Sequence, residues 1–535
     1  MTLTDFKFSS KKAAIFLPVC LLFLGVLYHA IMADFWSPDD EDWLNFVGQG
    51  IRPVWTSGNP WNFFRPSFGI WMYFLNAVLP RQPAYYTLAG LLPILITWLA
   101  GRSLFNQWMD EKKAGLAAVL LTLHPIRHSH YFWTSAQIDS WCLAMMMMTL
   151  ALALRTDRAE RQYGALRCAM LLLMSMVSFW FKEIALLLIP LVLLLPSRLQ
   201  LGAKIKTVLC ISTGLAISVT SSMMVLGGLG QSGSKLAGMH LRRLLAYPIQ
   251  IVLPIDQHAL IMNARTPGSY LPLILLAAVI AVGAGLIAYQ LVKKRESWLI
   301  AGLILLAAGG CVCMVDPDHR GLGLGAAGFS LLFVGALYHF PWPRMKWFNR
   351  SALVLLICCW AAVWCRAESV WRGSKQYNKK MIDLLQSTRD KIGPDRIIVQ
   401  LVGLGKINNM AIPEKIFTLD HKSLCVSYLT SAILPVEVKI NRMDRNIFSI
   451  HTQVPAMFEF EESIMAESGI VGINRKREGI HDFIWDGNGM NKAQLLQLFQ
   501  SILRLYKMDA SKLDVDSPFF VFWDGKDFKE LAKLP

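Results

Sequence analysis

The residues whose types and spacing could do chemistry begin with SPDDEDWLNF, Ser37 to Phe46, which sets Asp39, Asp40, Glu41 and Asp42 side by side directly after the first long apolar run. Crowded carboxylates repel one another, so at least one of them binds a proton or a cation more readily than an isolated acid. The group therefore suits a general base or a cation site, and carboxylates such as Asp39, Asp40 and Asp42 offer the hard oxygen ligands that Mg²⁺, Mn²⁺ or Ca²⁺ prefer. The bland alternative, equally open at this point, is an acidic turn that solvates the chain where it leaves a membrane.

Four further groupings carry charge where little is expected. HPIRHSHYFWTS places His124, Arg127, His128 and His130 within one loop after His124-Pro125. Imidazole ligates cations and guanidinium forks onto phosphate oxygens, although the same residues could simply close off a helix end. Asp139 stands at the mouth of the next apolar helix, as a site residue or as a favourable partner for the helix dipole. Lys182-Glu183 interrupts an apolar tract running from Leu171 to Leu195, and a charged pair at that depth needs a cavity or a polar neighbour. DPDHRG carries His319 and Arg320, the latter a candidate anion clamp or an interfacial arginine. The GLGLGAAGF that follows reads as close helix packing and not as a nucleotide loop.

The elements that must position these residues are membrane spans. Of 535 residues 54% are hydrophobic and only 17% charged, against about 25% charged in soluble proteins. The net charge of +16 falls in clusters between apolar runs, which marks cytoplasmic loops and points away from a nucleic-acid partner. Ala13 to Met32 reads as an uncleaved anchor. Spans follow near Tyr85–Leu104, Ala114–Leu123, Ile138–Leu154, Leu166–Phe181, Ile184–Leu195, Val208–Leu229, Tyr270–Val292, Trp298–Met314, Leu322–Tyr338 and Leu353–Trp364, so the fold class is a polytopic α-helical membrane protein of about eleven transmembrane helices. Two interfacial helices are expected, in FFRPSFGIWMYFLNAVLP and around Arg242 and Arg243. Lys7, Lys11 and Lys12 put the N-terminus in the cytoplasm, and the later basic loops agree, leaving the acidic stretch, the histidine loop, Lys182-Glu183 and Arg320 on the outer face.

The chain divides into 1–366, the membrane part, and 367–535, a soluble α/β domain on the outer face. Strands are expected at RIIVQLVGL and FFVFW, and helices near Ser374–Ile392 and Lys492–Tyr506. The cysteines show no CxxC pair and no disulfide framework.

Taken in order, the outer acidic pair, Arg65-Pro66, His124-Pro125, Asp139, Lys182-Glu183 and Arg320 before a small-residue helix resemble the GT-C membrane glycosyltransferases, in particular the transmembrane O-mannosyltransferases that carry tetratricopeptide repeats and their bacterial relatives. The chain departs from that pattern at Gln137, where the family has arginine, and at His319, where it has glutamate, and it has no repeat domain. The resemblance implies inverting transfer of a sugar from a polyprenyl-phosphate donor to a glycan, lipid or protein acceptor. Asp40 or Asp39 would be the base. Arg320, Lys182, Glu183, His124, Arg65, Asp139, His128 and His319 would hold the donor phosphate and substrate. It also implies a bacterial inner membrane with the site facing the periplasm, an endoplasmic reticulum location being the alternative. Two other readings remain open: a lipid-linked saccharide transporter or flippase, and a transferase of O-antigen ligase or polymerase type.

Overall fold

The structure, a computed structural model, describes residues 24–25, 27–28, 38–58, 63–80, 82–127, 130–131, 134–155, 164–228, 244, 247, 251–252, 296–315, 322–339, 351, 353–365, 383 and 387, and, in the C-terminal part, 396–404, 425–427, 430–431, 437–444, 447–453, 470–477, 480–486, 514–523 and 528–530. The chain forms two compact units. One comprises Met1–Asp34 and Phe46–Glu368, the other Phe35–Asn45 and Ser369–Pro535.

The first unit is a bundle of apolar helices. Helix α1 (Pro38–Gly48) leads in and is shared by both units along the chain; α2 (Arg52–Thr56), α3 (Pro66–Val78), α4 (Pro83–Ala89), α5 (Leu91–Phe105) and α6 (Glu111–Leu123) follow. Proline stands in the first turn of α2, α3 and α4, where the missing N–H costs nothing and the fixed φ starts the helix. Helix α6 starts at Asp110, whose side chain accepts from the Lys113 N–H at 3.1 Å; the Lys113 side chain and then that N–H hold its carboxyl below the ordinary carboxylate range. Next come α7 (Gln137–Leu154), α8 (Gly164–Phe181), a 3₁₀ turn (Glu183–Leu187), α9 (Leu188–Leu194) and α10 (Leu201–Leu226), the last ended by Gly227 at φ +70°. Helices α11 (Ser297–Val315), α12 (Gly323–His339) and α13 (Leu353–Cys365) complete the described part.

Among the described residues, five helical stretches are long and apolar enough to cross a membrane: Pro83–Phe105, α7, α8, α10 and α11. Glu183–Leu194, Gly323–Tyr338 and α13 are shorter apolar helices. Helix α7 is 83% buried and α10 only 28%, so α7 is the central span and α10 a peripheral one. Leu201, Ile205, Leu209 and Met224 of α10, and Leu166, Met170 and Leu173 of α8, accordingly point outward, as side chains facing lipid should. Helices α11 and α12 meet through glycines: a Cβ on Gly328 would lie 2.5 Å from the Leu306 nitrogen and 2.6 Å from the Gly302 oxygen. That contact is the close packing expected of GLGLGAAGF. The expected spans at Ala13–Met32, apart from four positions, and at Tyr270–Val292 lie outside the described residues, as do Arg242 and Arg243.

The second unit holds two sheets. In one, β1 (Arg396–Leu404) pairs in parallel with β2 (Cys425–Ser427), β3 (Thr430–Ser431) and β8 (Asp514–Trp523), and β9 (Phe528–Glu530) closes the edge antiparallel to β8. The other is an antiparallel sheet in the order β4 (Glu437–Asp444), β5 (Ile447–Gln453), β7 (Ile480–Asp486), β6 (Ile470–Arg477). RIIVQLVGL and FFVFW, the two expected strands, are direct neighbours, with Val399 opposite Phe520. Parallel neighbours this far apart in sequence require a crossover connection, as an α/β unit does. The expected helices Ser374–Ile392, save two positions, and Lys492–Tyr506 lie outside the described residues.

Candidate functional site

Two ion pairs form where four helices end. Pro66 fixes the start of α3, which leaves Arg65 at its N-cap with its guanidinium 4.0 Å over the Phe63 ring. A cation at a helix N-terminus opposes the dipole, and Glu183 compensates it: Arg65 Nη2 donates to both Glu183 oxygens, at 3.2 and 3.4 Å. One residue earlier the chain breaks out of α8. Lys182 is extended, and its Nζ donates to Asp139 Oδ1 at 2.6 Å, with side chains only 7% and 3% exposed. Asp139 lies in the first turn of α7, where the dipole also favours its negative charge. Adjacent Lys182 and Glu183 thus tie α8 to two other helices through opposite charges. The Cys142 thiol, nearly one turn along α7, lies within electrostatic reach of all four groups.

Apolar and aromatic groups enclose this cluster. Trp141 stacks on Phe181 at 5.7 Å and meets Trp71 edge-on at 5.1 Å. Gln137, buried, accepts from Trp71 Nε1 at 2.9 Å and donates to the Tyr86 carbonyl at 2.7 Å. Its amide is therefore a strut between α3, α4 and α7. A narrow cleft of about 10 Å³ lies beside Asp139, lined also by Cys142, Leu143, Met146, Ile184, Gly323 and Leu324. Its wall is aliphatic apart from Asp139 and the Cys142 thiol.

The histidine loop divides into a structural and a charged part. His124 is wholly buried against Trp360 (4.8 Å) and Phe329 (5.6 Å). Its Nδ1 accepts from the Ile126 N–H at 3.2 Å, so Nε2 carries the hydrogen and donates to the Ile251 carbonyl at 2.8 Å. Both nitrogens are engaged, and burial pushes the imidazole down to about 3, so it is neutral at pH 7. Tyr131 donates to the Thr122 carbonyl at 2.9 Å and Trp364 to that of Leu123 at 3.0 Å, which anchors the end of α6 to α13. Arg127 is also wholly buried; its Nε donates to His130 Nδ1 at 3.2 Å, while Nη1 and Nη2 have no hydrogen-bond partner among the described residues. Burial lowers it to about 10, with Tyr131 and Asp139 acting against that shift.

The structure thus brings Arg65, Glu183, Asp139 and Lys182 together, places Arg127 within electrostatic reach of Asp139, and commits His124 to packing. Asp40 is 1% exposed on α1, in the stretch that belongs to the second unit. His128, His319 and Arg320 lie outside the described residues, as do the side chains of Asp39 and Asp42. Among the described residues no group of three or more His, Cys, Asp or Glu side chains is placed to hold a metal ion. The sequence grouped Arg127 with its histidine neighbours without singling it out; the signal available was its position between Ile126 and Tyr131, directly after an apolar helix.

No protein-family profile and no curated protein sequence matches the chain. Among solved structures it is similar to ArnT from Cupriavidus metallidurans bound to undecaprenyl phosphate, at 11% identity and a TM-score of 0.45, over 88% of this chain and 98% of that one. It is also similar to an Archaeoglobus fulgidus oligosaccharyltransferase tethered to an acceptor peptide, at 11% identity and a TM-score of 0.37, over 67% of this chain and 55% of that one.

Proposed function

We propose that this protein is a membrane glycosyltransferase that moves a sugar from a polyprenyl-phosphate donor to a glycan, lipid or protein acceptor. The observation that carries the reading is the charge cluster at the helix ends, in which three cations, the buried Lys182 and Arg127 and the half-buried Arg65, accompany two carboxylates, the buried Asp139 and the half-buried Glu183. Such charges are costly in an apolar bundle unless a substrate uses them, and the excess is positive, as a phosphate leaving group requires.

In this reading Asp40, or Asp39, accepts the proton of the acceptor hydroxyl while that oxygen attacks the anomeric carbon from the face opposite the phosphate. The bond from that carbon to the phosphate oxygen breaks, and the configuration inverts. The negative charge collecting on the departing polyprenyl phosphate is met by Lys182, Arg65 and Arg320. Asp139 holds Lys182 in place, and Glu183 does the same for Arg65. A divalent cation bound by Asp39, Asp40 and Asp42 would supply further charge stabilisation. The protein would sit in a bacterial inner membrane with its N-terminus in the cytoplasm and its site and second unit in the periplasm.

The test is release of free polyprenyl phosphate by the purified protein from a lipid-linked sugar, with an acceptor extract present. Transfer predicts release that falls at least a hundredfold in Asp40→Asn together with Asp39→Asn, at matched protein levels. A transporter would move the donor across the bilayer and leave it intact.

A further inference from the structure

Arg127 stands apart from the other charged groups of the cluster. Arg65 and Lys182 each hold a carboxylate, whereas the Arg127 guanidinium, fully buried, uses only its Nε, on a neutral nitrogen acceptor. Both terminal nitrogens are without a hydrogen-bond partner among the described residues. Burial brings the group down only to about 10, so it stays protonated at neutral pH. A buried cation with two donors unsatisfied opposes folding even with Asp139 in electrostatic reach, and a hydrophobic residue of the same volume would avoid that cost. Its surroundings nonetheless hold it in place: the His130 bond fixes Nε, the Arg127 N–H donates to the His124 carbonyl at 2.9 Å, and the His124 ring is pinned on both sides. The fold therefore positions two adjacent nitrogens whose N–H donors are unsatisfied by the described residues.

We propose that Arg127 is the receptor for an oxyanion of phosphate type, which completes the hydrogen bonding of Nη1 and Nη2 at the Asp139 end of α7. The fork of a guanidinium matches two oxygens of one phosphate and fits a spherical halide poorly. Asp139 is within electrostatic reach but makes no hydrogen bond to Nη1 or Nη2, and its Oδ1 is held by Lys182 at 2.6 Å. The proposal deepens the transferase reading by naming the group its cationic half receives. It rests on that reading only for a lipid-linked phosphate as the source; free phosphate has the same chemistry.

The experiment is thermal unfolding of the full-length protein in lipid nanodiscs, titrated with inorganic phosphate and, separately, with farnesyl phosphate, against sodium chloride at matched ionic strength. The wild-type protein is expected to show a saturable rise in its midpoint with at least one phosphate and none with chloride. Arg127→Met is expected to unfold at the wild-type temperature or above it without ligand, because an unpaired buried charge has gone, and to bind phosphate at least tenfold more weakly. Arg127→Lys, with charge but no fork, should fall between. Saturation by farnesyl phosphate at concentrations at least tenfold below those of inorganic phosphate identifies a lipid head group as the source; equal concentrations identify free phosphate. No saturable shift with either phosphate overturns the proposal. So does a wild-type response in Arg127→Met, or a ligand-free midpoint several degrees lower in that variant, which would show that the guanidinium is satisfied within the fold. An Arg127-dependent shift in a protein that releases no polyprenyl phosphate would leave this proposal standing and refute the transferase reading.

Discussion

Lys182→Met tests how the Asp139–Lys182 pair is held. The pair is 2.6 Å long with side chains 7% and 3% exposed, so removing one partner leaves a charge inside the bundle, at a typical cost of about 3–5 kcal/mol. The two ends of that range separate the two partners. Without Lys182 the Asp139 carboxylate still feels the Arg127 guanidinium, and Lys182→Met should cost about 3 kcal/mol. Without Asp139, two buried cations lose a common acid, and Asp139→Leu should cost about 5 kcal/mol. Combining the two removes the pair whole, and the double variant should recover about 2–3 kcal/mol relative to the sum of the singles. Equilibrium unfolding in mixed micelles reads the stabilities, and donor turnover, measured alongside, should stay low in all three variants. Single costs below about 1 kcal/mol, or strict additivity, would refute the claim that the pair is a desolvated unit.

Three further outcomes follow. His124 binds a proton at about 3 when folded and at 6.5 ordinarily, so its linkage leaves stability intact above pH 6.5 and removes it as pH falls toward 3. The full loss is about 5 kcal/mol, and His124→Asn should flatten the pH profile of unfolding in that window. Gly328→Ala should destabilise by about 1–3 kcal/mol in thermal scans, because the added methyl meets backbone atoms of α11 that have no room to yield. Arg65→Gln, which breaks a pair 12% and 28% exposed, should cost under about 1 kcal/mol of stability, since water screens the pair, yet raise the apparent KM for the lipid-linked donor.

The helical bundle was largely legible because membrane spans announce themselves through length and apolarity. Ile138–Leu154, Leu166–Phe181 and Trp298–Met314 lie within two residues of α7, α8 and α11 at either end. Lys182-Glu183 was legible for a related reason: charge inside an apolar tract must be compensated, and the structure supplies Asp139 and Arg65. The partners themselves could not be read, since the residues of these pairs are 43 and 118 positions apart and only the packing of α3, α7 and α8 brings them together. His124 carried the opposite lesson. An imidazole beside a proline at a helix end has the composition of a ligand site, but tertiary packing engages both nitrogens, and the unsatisfied donors among the described residues of this loop include those of Arg127, three residues on. Gln137 likewise looked like a departure from a pattern, and its amide proves to join three helices. The grouping of Phe35–Asn45 with the C-terminal unit had no sequence signal at all, because hydropathy records what leaves the membrane and not what it then packs against.

The central claim, that this protein breaks a lipid-phosphate–sugar bond, is tested most directly by mass spectrometry of the lipid products formed by the purified protein in nanodiscs. The reaction mixture would contain a polyprenyl-phosphate monosaccharide and an acceptor extract. The account predicts free polyprenyl phosphate and one newly glycosylated product, both lost in the Asp39/Asp40 double asparagine variant. An intact donor recovered from the wild-type protein under the same conditions, across the candidate sugars, would contradict it.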